Sequence, residues 1–341
     1  TLEPARNEED KLPVVIMQWA ARDPVNAYGN GVQESTFSVQ ANDYLDYHNL
    51  STEYFSNLVE IYTKQALNSF GQITVGLENS YDWKKYSNEY RKQIDVLSEK
   101  QKLGEINVVK MEDFSLWYRQ TFPNLSPAHV IATNDPLGSS KKVVWFMNPY
   151  YRASWFFNAE GSFFRDIRQY VEGAEEPCYT KSCRSVNFAT FATRVLDNVT
   201  YGHKLIIDEG KISDFNVTKS GQSFVLQYKN EAGKLRNIEF LPRDIGIDGE
   251  ISSIDNLILK ATKDSKDKQQ IPLPEGSFEW SFFDTLTKIF KFLIFLIVGC
   301  LVPGFVILKK FLPEKEMLQK VAISLVFGFT FSTVVFYLLS I

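Results

Sequence analysis

The stretch KVVWFMNPYYRASWFFNAEGSFFRDIRQY (142–170) decides the fold of the middle of this chain. Its apolar and aromatic residues alternate with smaller or polar ones in short runs, and Ala-Glu-Gly (159–161) supplies a turn. Alternation with a period of two is typical of strands that bury one face, so most of these rings are expected in a core. The charged residues Arg165, Asp166 and Arg168 are expected to form a structural ion pair at a strand edge.

The same pattern continues on both sides of this stretch. The turn NEAGK (230–234) between SFVLQYK (223–229) and LRNIEFL (235–241) is typical of a β-hairpin. Further short apolar runs include HVIAT (129–133) and KLIID (204–208). Residues 125–262 are therefore predicted to form an antiparallel β-sandwich.

Residues 1–122 show a different pattern, in which strand-like and helix-like segments alternate. The predicted strands are 13–20, 35–43, 73–79 and 106–111. One helix carries Phe55, Leu58, Tyr62 and Ala66 at helical spacing, a second carries Tyr86, Tyr90, Ile94 and Leu97, and a third covers EDFSLWYRQTF (112–122). Alternation of this kind predicts an α/β domain, either a partial (β/α) barrel or a parallel sheet.

The C-terminal part holds a polar linker, 263–280, followed by two apolar runs, 289–308 and 321–341. Each run is long enough for a helix to cross about 30 Å of hydrocarbon, which predicts two transmembrane helices in a lipid bilayer. The loop 309–320 is rich in Lys and is expected in the cytoplasm, with the preceding domains extracytoplasmic. Two buried soluble helices are the alternative. Because the chain begins at Thr1, without Met or a signal peptide, it is expected to be a fragment of a longer protein.

Composition and missing motifs exclude several functions. The net charge of −4 gives no basic surface for nucleic acid. The chain lacks the sequence motifs of nucleotide-binding loops, zinc metalloproteases and serine hydrolases. Cys178 and Cys183 are predicted to form a disulfide, since they are close together and the compartment is expected to be oxidising. No metal site is predicted, because two thiols without a nearby His are an incomplete ligand set.

The candidate site residues are those at the carboxyl ends of the predicted parallel strands, where α/β active sites form. Glu78 follows the strand ITVGL, and Asp43 ends the second strand. Two carboxylates at neighbouring strand ends are what glycosidic bond hydrolysis requires, so Glu78 and Asp43 are the predicted catalytic pair. Asp43 has an alternative interpretation as a helix-capping or turn residue. Trp19, Tyr81 and His48 are predicted to bind substrate, the aromatic rings by stacking on sugars.

The strand end VGLEN (75–79), the segment NVVKMEDFSLWYRQTFP (107–123) and the sandwich after it resemble a known arrangement. It is similar to the C-terminal part of the (β/α) barrel in family 57 glycoside hydrolases and polysaccharide deacetylases, which often carry a trailing all-β domain. The resemblance implies a catalytic Glu and Asp at strand ends. In the deacetylases it implies a divalent metal on an Asp and His pair from early strands, which would precede Thr1.

The sequence therefore predicts a membrane-anchored, extracytoplasmic hydrolase that acts on a polysaccharide or other glycan, without a cofactor in this part of the chain. A second hypothesis is a non-catalytic glycan-binding or structural surface domain attached to a membrane protein. The separation of the Asp43 and Glu78 carboxylates across an open cleft would distinguish the two, because hydrolysis needs about 5 to 10 Å.

Overall fold

The computed structural model describes residues 12–17, 20–28, 35–64, 66–76, 82–170 and 195–262, with single residues at 9, 290, 319 and 323. Contacts between Cα atoms separate the chain into two compact units. The first comprises residues 1–181 and 189–272, and the second comprises 182–188 and 273–341. Nearly all the described residues belong to the first unit.

The larger part of the described chain forms two antiparallel sheets. In the first sheet β1 to β5 pair in sequence order. Strand β6 also pairs with β4, along residues 161–164, whereas β5 pairs with residues 166–168. Its strands are β1 (His129–Asn134), β2 (Lys142–Met147), β3 (Tyr151–Asn158), β4 (Gly161–Gln169), β5 (Val195–Asp197) and β6 (Leu205–Glu209). The second sheet has the order β11-β10-β9-β8-β7. Its strands are β7 (Ser213–Ser220), β8 (Ser223–Lys229), β9 (Leu235–Phe240), β10 (Asp244–Ile247) and β11 (Glu250–Ser253).

The two sheets share one apolar core, to which both contribute aromatic rings. The rings of Phe146 and Phe240 stack with centroids 5.2 Å apart, and those of Trp155 and Tyr228 lie at the same separation. Phe224 is fully buried in the same core. Alternate residues of each strand reach this core, which is the arrangement of a sandwich.

Helices precede and follow the sheets. Before them lie α1 (Ala41–His48), α2 (Thr52–Thr63), α3 (Trp83–Lys102) and α4 (Met111–Thr121). The short α5 (Asn198–Tyr201) follows β5, and α6 (Ile254–Thr262) ends the described sheet region by burying Ile254, Leu257 and Ile258 in the core. Helices α2, α3 and α4 lie where the spacing of apolar residues predicts them. Helix α3 begins at the N-cap Asp82, whose carboxylate accepts a bond from the Lys84 backbone N–H.

The predicted fold class, an α/β partial barrel or parallel sheet followed by a sandwich and two transmembrane helices, is wrong. Among the described residues before Phe122, the only β-type pairing is an antiparallel bridge between Arg22 and Ser38. Val14 and Ile16 in the first predicted strand are 64% and 77% exposed, and Ile73 and Val75 in the third pack on helices α1 and α2. Ile73 and Val75 therefore bury their side chains against helices, whereas Val14 and Ile16 stay exposed. None of the four lies in a paired strand.

No helix within the described ranges is long and apolar enough to cross a membrane. The predicted spans 289–308 and 321–341 and the loop 309–320 lie outside the described residues, except for Phe290, Gln319 and Ile323. The linker 263–280 lies outside them entirely.

A β-bulge in the first sheet places a positive charge on its outer face. Ser154 pairs with Asp166 and Trp155 with Phe164, so Arg165 has no residue opposite it. The extra residue turns Arg165 and Asp166 to the same outer side. Asp166 bonds to Arg152 and Arg168, as expected of a structural ion pair, whereas Arg165 takes a separate, buried place.

Arg165 joins the outer face of the sheet to the loop 20–28. Its guanidinium donates to the backbone oxygens of Pro24 and Val25 and to Ser154 Oγ. The rings of Phe156 and Tyr28 lie over it at 4.3 and 4.9 Å. Burial lowers its pKa to about 10, so it stays charged at neutral pH.

We expect Arg165→Met to lower the free energy of unfolding by about 3 kcal/mol, since it removes the donor from a buried carbonyl and detaches the loop 20–28. Urea unfolding at neutral pH measures this loss. The control is Arg119→Met on the exposed side of α4, which should change stability by no more than about 0.5 kcal/mol. Equal effects of the two substitutions would contradict the role given to Arg165.

Candidate functional site

The predicted residues that the structure describes lie on α1, which meets the start of α3. We call this place the α1–α3 edge, and define it by Asp43, Asp46, Tyr47 and His48 of α1 together with Trp83, Lys85 and Tyr86 of α3. Asp46 holds the two helices together, because it accepts bonds from Lys85 Nζ at 2.7 Å and from the Tyr86 hydroxyl at 2.5 Å. These bonds hold the pKa of Asp46 below its ordinary value.

Asp43 lies in the first turn of α1, where the helix dipole stabilises a negative charge. Its carboxylate accepts a bond from Ser38 Oγ at 2.6 Å and one from Asn42 Nδ2 at 2.8 Å. The prediction that Asp43 ends a parallel strand is wrong, because the helix begins at Ala41 and Ser38 makes only an isolated bridge. The alternative interpretation, a helix-capping or turn residue, does not describe it either, because the N-cap of this helix is Gln40 and Asp43 lies within the first turn.

His48 ends the same helix but faces elsewhere. Its ring stacks on Phe37 with centroids 3.5 Å apart, and its Nε2 lies 2.8 Å from Thr36 Oγ1. A helix turns about 100° per residue, so His48 lies about 140° around the axis from Asp43. Asp46 and Tyr47, three and four residues after Asp43, share its face instead. The structure therefore separates His48 from Asp43 and brings Asp46 beside it.

Exposed aromatic rings lie at this edge that sequence reasoning did not select. Trp83 is 54% exposed and meets the Tyr90 ring edge-on at 6.0 Å, and Tyr47 is 51% exposed. Trp83, Tyr86 and Tyr90 follow the helical spacing i, i+3, i+7, which was the signal available in the sequence. The predicted helix was instead assigned an apolar face through Ile94, which is 45% exposed.

Helix α3 buries polar side chains against α1 and α2. Glu89 accepts bonds from Thr52 Oγ1 at 2.5 Å, Lys92 Nζ at 3.0 Å and the Tyr44 hydroxyl at 3.1 Å. Burial alone would raise the pKa of Glu89, but these bonds and the charge of Lys92 outweigh it, so the pKa is lowered. Gln93, also buried, donates to the backbone oxygen of Val39 and to the same Tyr44 hydroxyl.

Several predicted residues lie outside the described part of the chain. They are Trp19, Glu78, Tyr81, Cys178 and Cys183. The catalytic pair of Asp43 and Glu78, the two stacking rings and the disulfide therefore stay predictions. In the sequence, the described residues on either side of Glu78 are Gly76 and Asp82.

Within the described ranges, no group of three or more His, Cys, Asp or Glu side chains is placed to hold a metal ion. The two described carboxylates of this edge, Asp43 and Asp46, each accept bonds from neighbouring donors. The donors around Asp46 lower its pKa, and an ionised carboxylate can accept hydrogen bonds from a ligand or act as a base or nucleophile.

No family model matches the chain, and neither a curated protein nor a solved structure shows significant similarity to it.

We expect Glu89→Gln to lower the free energy of unfolding by about 1 to 2 kcal/mol at pH 7, because it removes a charged acceptor from a buried network. The folded pKa of Glu89 is lowered from 4.5, so its contribution is present above pH 4.5 and lost as the pH falls through the folded pKa. Urea unfolding at several pH values should show the difference between wild type and variant shrinking in acid. Glu99→Gln, an exposed carboxylate on the same helix, is the control, and an equal loss there would contradict the assignment.

Proposed function

We propose that this chain is a carbohydrate-active hydrolase that contacts a glycan at the α1–α3 edge, with Asp43 and Glu78 as its carboxylates. One observation supports this most: the Asp43 carboxylate is oriented by Ser38 and Asn42 at the start of a helix and shares a face with Asp46 and Tyr47. A carboxylate that acts as a nucleophile or base must be ionised, and Asp43 accepts bonds from two donors.

Chain connectivity keeps Glu78 a candidate partner for Asp43. In the sequence, Glu78 stands two residues after Gly76 and four residues before Asp82. Asp82 begins the helix that Asp46 ties to α1. For Glu78 to act as the acid, its pKa would have to be raised.

The exposed rings support a sugar as the ligand. Trp83 and Tyr47 present open aromatic faces beside carboxylates, and sugar rings stack on such faces while their hydroxyls donate to carboxylates. Trp19 and Tyr81, predicted from the sequence, would extend the same surface.

A second candidate function is glycan binding without hydrolysis. It is favoured by the pKa values of Asp46 and Glu89, which both lie below the ordinary range because of the donors around them. A general acid needs a raised pKa instead. If Glu78 carried no catalytic role, this edge would be a binding surface.

The metal that the resemblance to deacetylases implies does not fit the described residues. Such a metal needs Asp and His side chains that converge, whereas His48 stacks on Phe37 and points about 140° away from Asp43 around the helix. Attachment to a lipid bilayer with the sheets in an extracytoplasmic location stays a prediction from the sequence.

We expect the full chain to hydrolyse at least one member of a panel of neutral polysaccharides, and both Glu78→Gln and Asp43→Asn to lower that rate at least about 100-fold. Reducing-end assays measure the rate, and circular dichroism checks folding. Asp95→Asn, an exposed carboxylate on α3, is the control and should keep full activity. Binding without hydrolysis would support the second candidate, and neither binding nor hydrolysis would contradict both.

We expect Trp83→Ala to weaken glycan binding about five- to tenfold, since it removes an exposed aromatic ring on which a sugar can stack. Glycan affinity electrophoresis with the same panel measures the effect. Leu103→Ala removes an exposed apolar side chain at the C-cap of α3 and should leave binding unchanged. Equal binding by wild type and Trp83→Ala would remove the α1–α3 edge from the proposal.

A further inference from the structure

Asparagines at several places in the chain stand in the motif Asn-X-Ser/Thr, the acceptor sequence for N-linked glycosylation. They are Asn49, Asn124, Asn198 and Asn216. The motif is short and also occurs by chance, so the sequence alone does not assign a modification. The structure adds the missing information, because a sugar can be carried only by an asparagine whose side chain reaches the surface and has no other task in the fold.

The side-chain amides of these motif asparagines make no hydrogen bond within the described part of the chain. Most of the other described asparagines do use theirs. Asn68 bonds to both backbone groups of Val130, and Asn148 accepts bonds from two backbone N–H groups. Asn88 is free as well, but it lies outside the motif. The motif therefore coincides with amides that the fold does not need.

Three of the motif asparagines have another explanation or poorer access. Asn49 has a φ of 51° at the C-cap of α1, a left-handed conformation that Asn tolerates better than most residues. Asn198 is only partly exposed. Asn124 is exposed, but Pro127 directly after its motif restricts Ser126 to extended conformations. Asn216 is left as the strongest candidate.

Asn216 lies in β7, the end strand of the second sheet in the described part of the chain. Asn is disfavoured in strands, and neither a hydrogen bond nor a positive φ explains it here. Phe215 and Val217 pack on the core, so Asn216 and Thr218 share the outer face of the strand. Both outer side chains are exposed. This position therefore offers a free amide, a hydroxyl two residues later, and open space for a bulky group.

We propose that Asn216 is N-glycosylated, with Thr218 as the hydroxyl residue of its motif. In the transfer, Asn216 Nδ2 forms a bond to C1 of a sugar, the bond from C1 to the oxygen of a lipid diphosphate breaks, and the amide releases one proton. The donor is a lipid-diphosphate-linked oligosaccharide supplied by the cell that exports the chain. The inference depends on the predicted extracytoplasmic location and not on the proposed hydrolase activity. A hydrophilic group at this end strand would also hinder its pairing with a strand of another chain.

The test is mass spectrometry of peptides from the full-length protein, recovered from its own organism. We expect the peptide that holds Asn216 to carry a sugar in most molecules. Thr218→Ala removes the hydroxyl of the motif and should abolish the modification, whereas Thr218→Ser keeps the hydroxyl and should retain it. Both substitutions change an exposed side chain of β7, so circular dichroism should show the same fold as in wild type.

Asn88→Gln is the matched control. Asn88 is exposed and its amide is free, but Glu89 and Tyr90 follow it, so its replacement should leave the sugar on Asn216 unchanged. The proposal is overturned if Asn216 of the wild-type protein carries no sugar. It is also overturned if Thr218→Ala carries as much sugar on Asn216 as wild type does, because the modification would then not depend on the motif.

Discussion

The buried guanidinium of Arg165 is the constraint on which the arrangement of the first unit depends. Its donors face the backbone oxygens of Pro24 and Val25, and Trp145 Nε1 adds a bond to Pro24 at 2.9 Å. A charge without a directly bonded carboxylate is costly to bury, so the aromatic rings around it and its three acceptors must offset that cost. The bulge at Arg165 makes this possible by turning the residue to the outer face.

Buried polar contacts between the helices determine which side chains the candidate site exposes. Helix α3 buries the polar residues Glu89, Gln93 and Lys100 beside Tyr86, and Lys100 bonds to Glu60 at 2.6 Å. Polar interfaces of this kind specify one register, since a shift would leave buried groups without partners. The same bonds fix the register of α3 against α1 and α2. They thereby fix the positions of Asp43, Asp46 and Trp83 on these helices.

Sequence patterns predicted the sheets and the helices α2 to α4 well, because both depend on the periodicity of large apolar residues. The four predicted parallel strands failed for the opposite reason: PVVIM and ITVG are short apolar runs, and such runs fit a strand or a segment packed on helices equally well. Strand β7 was missed because nearly all its side chains are exposed and polar, as an edge strand permits. Of the candidate site, Asp43 could be selected by residue type, but its true neighbours Ser38, Asn42 and Asp46 depend on where α1 begins, which the sequence alone did not indicate.

The charge state of this edge limits the chemistry that it can perform. Donors surround Asp46 and Glu89 and lower the pKa values of both, so neither is suited to give up a proton at neutral pH. Glycosidic cleavage requires an acid as well as a base or nucleophile. If the chain is a hydrolase, the acid must therefore come from a residue outside this donor-rich layer, in a less polar place where burial raises the pKa. Glu78, which follows the apolar segment ITVGL, stays the residue that the sequence predicts for this role.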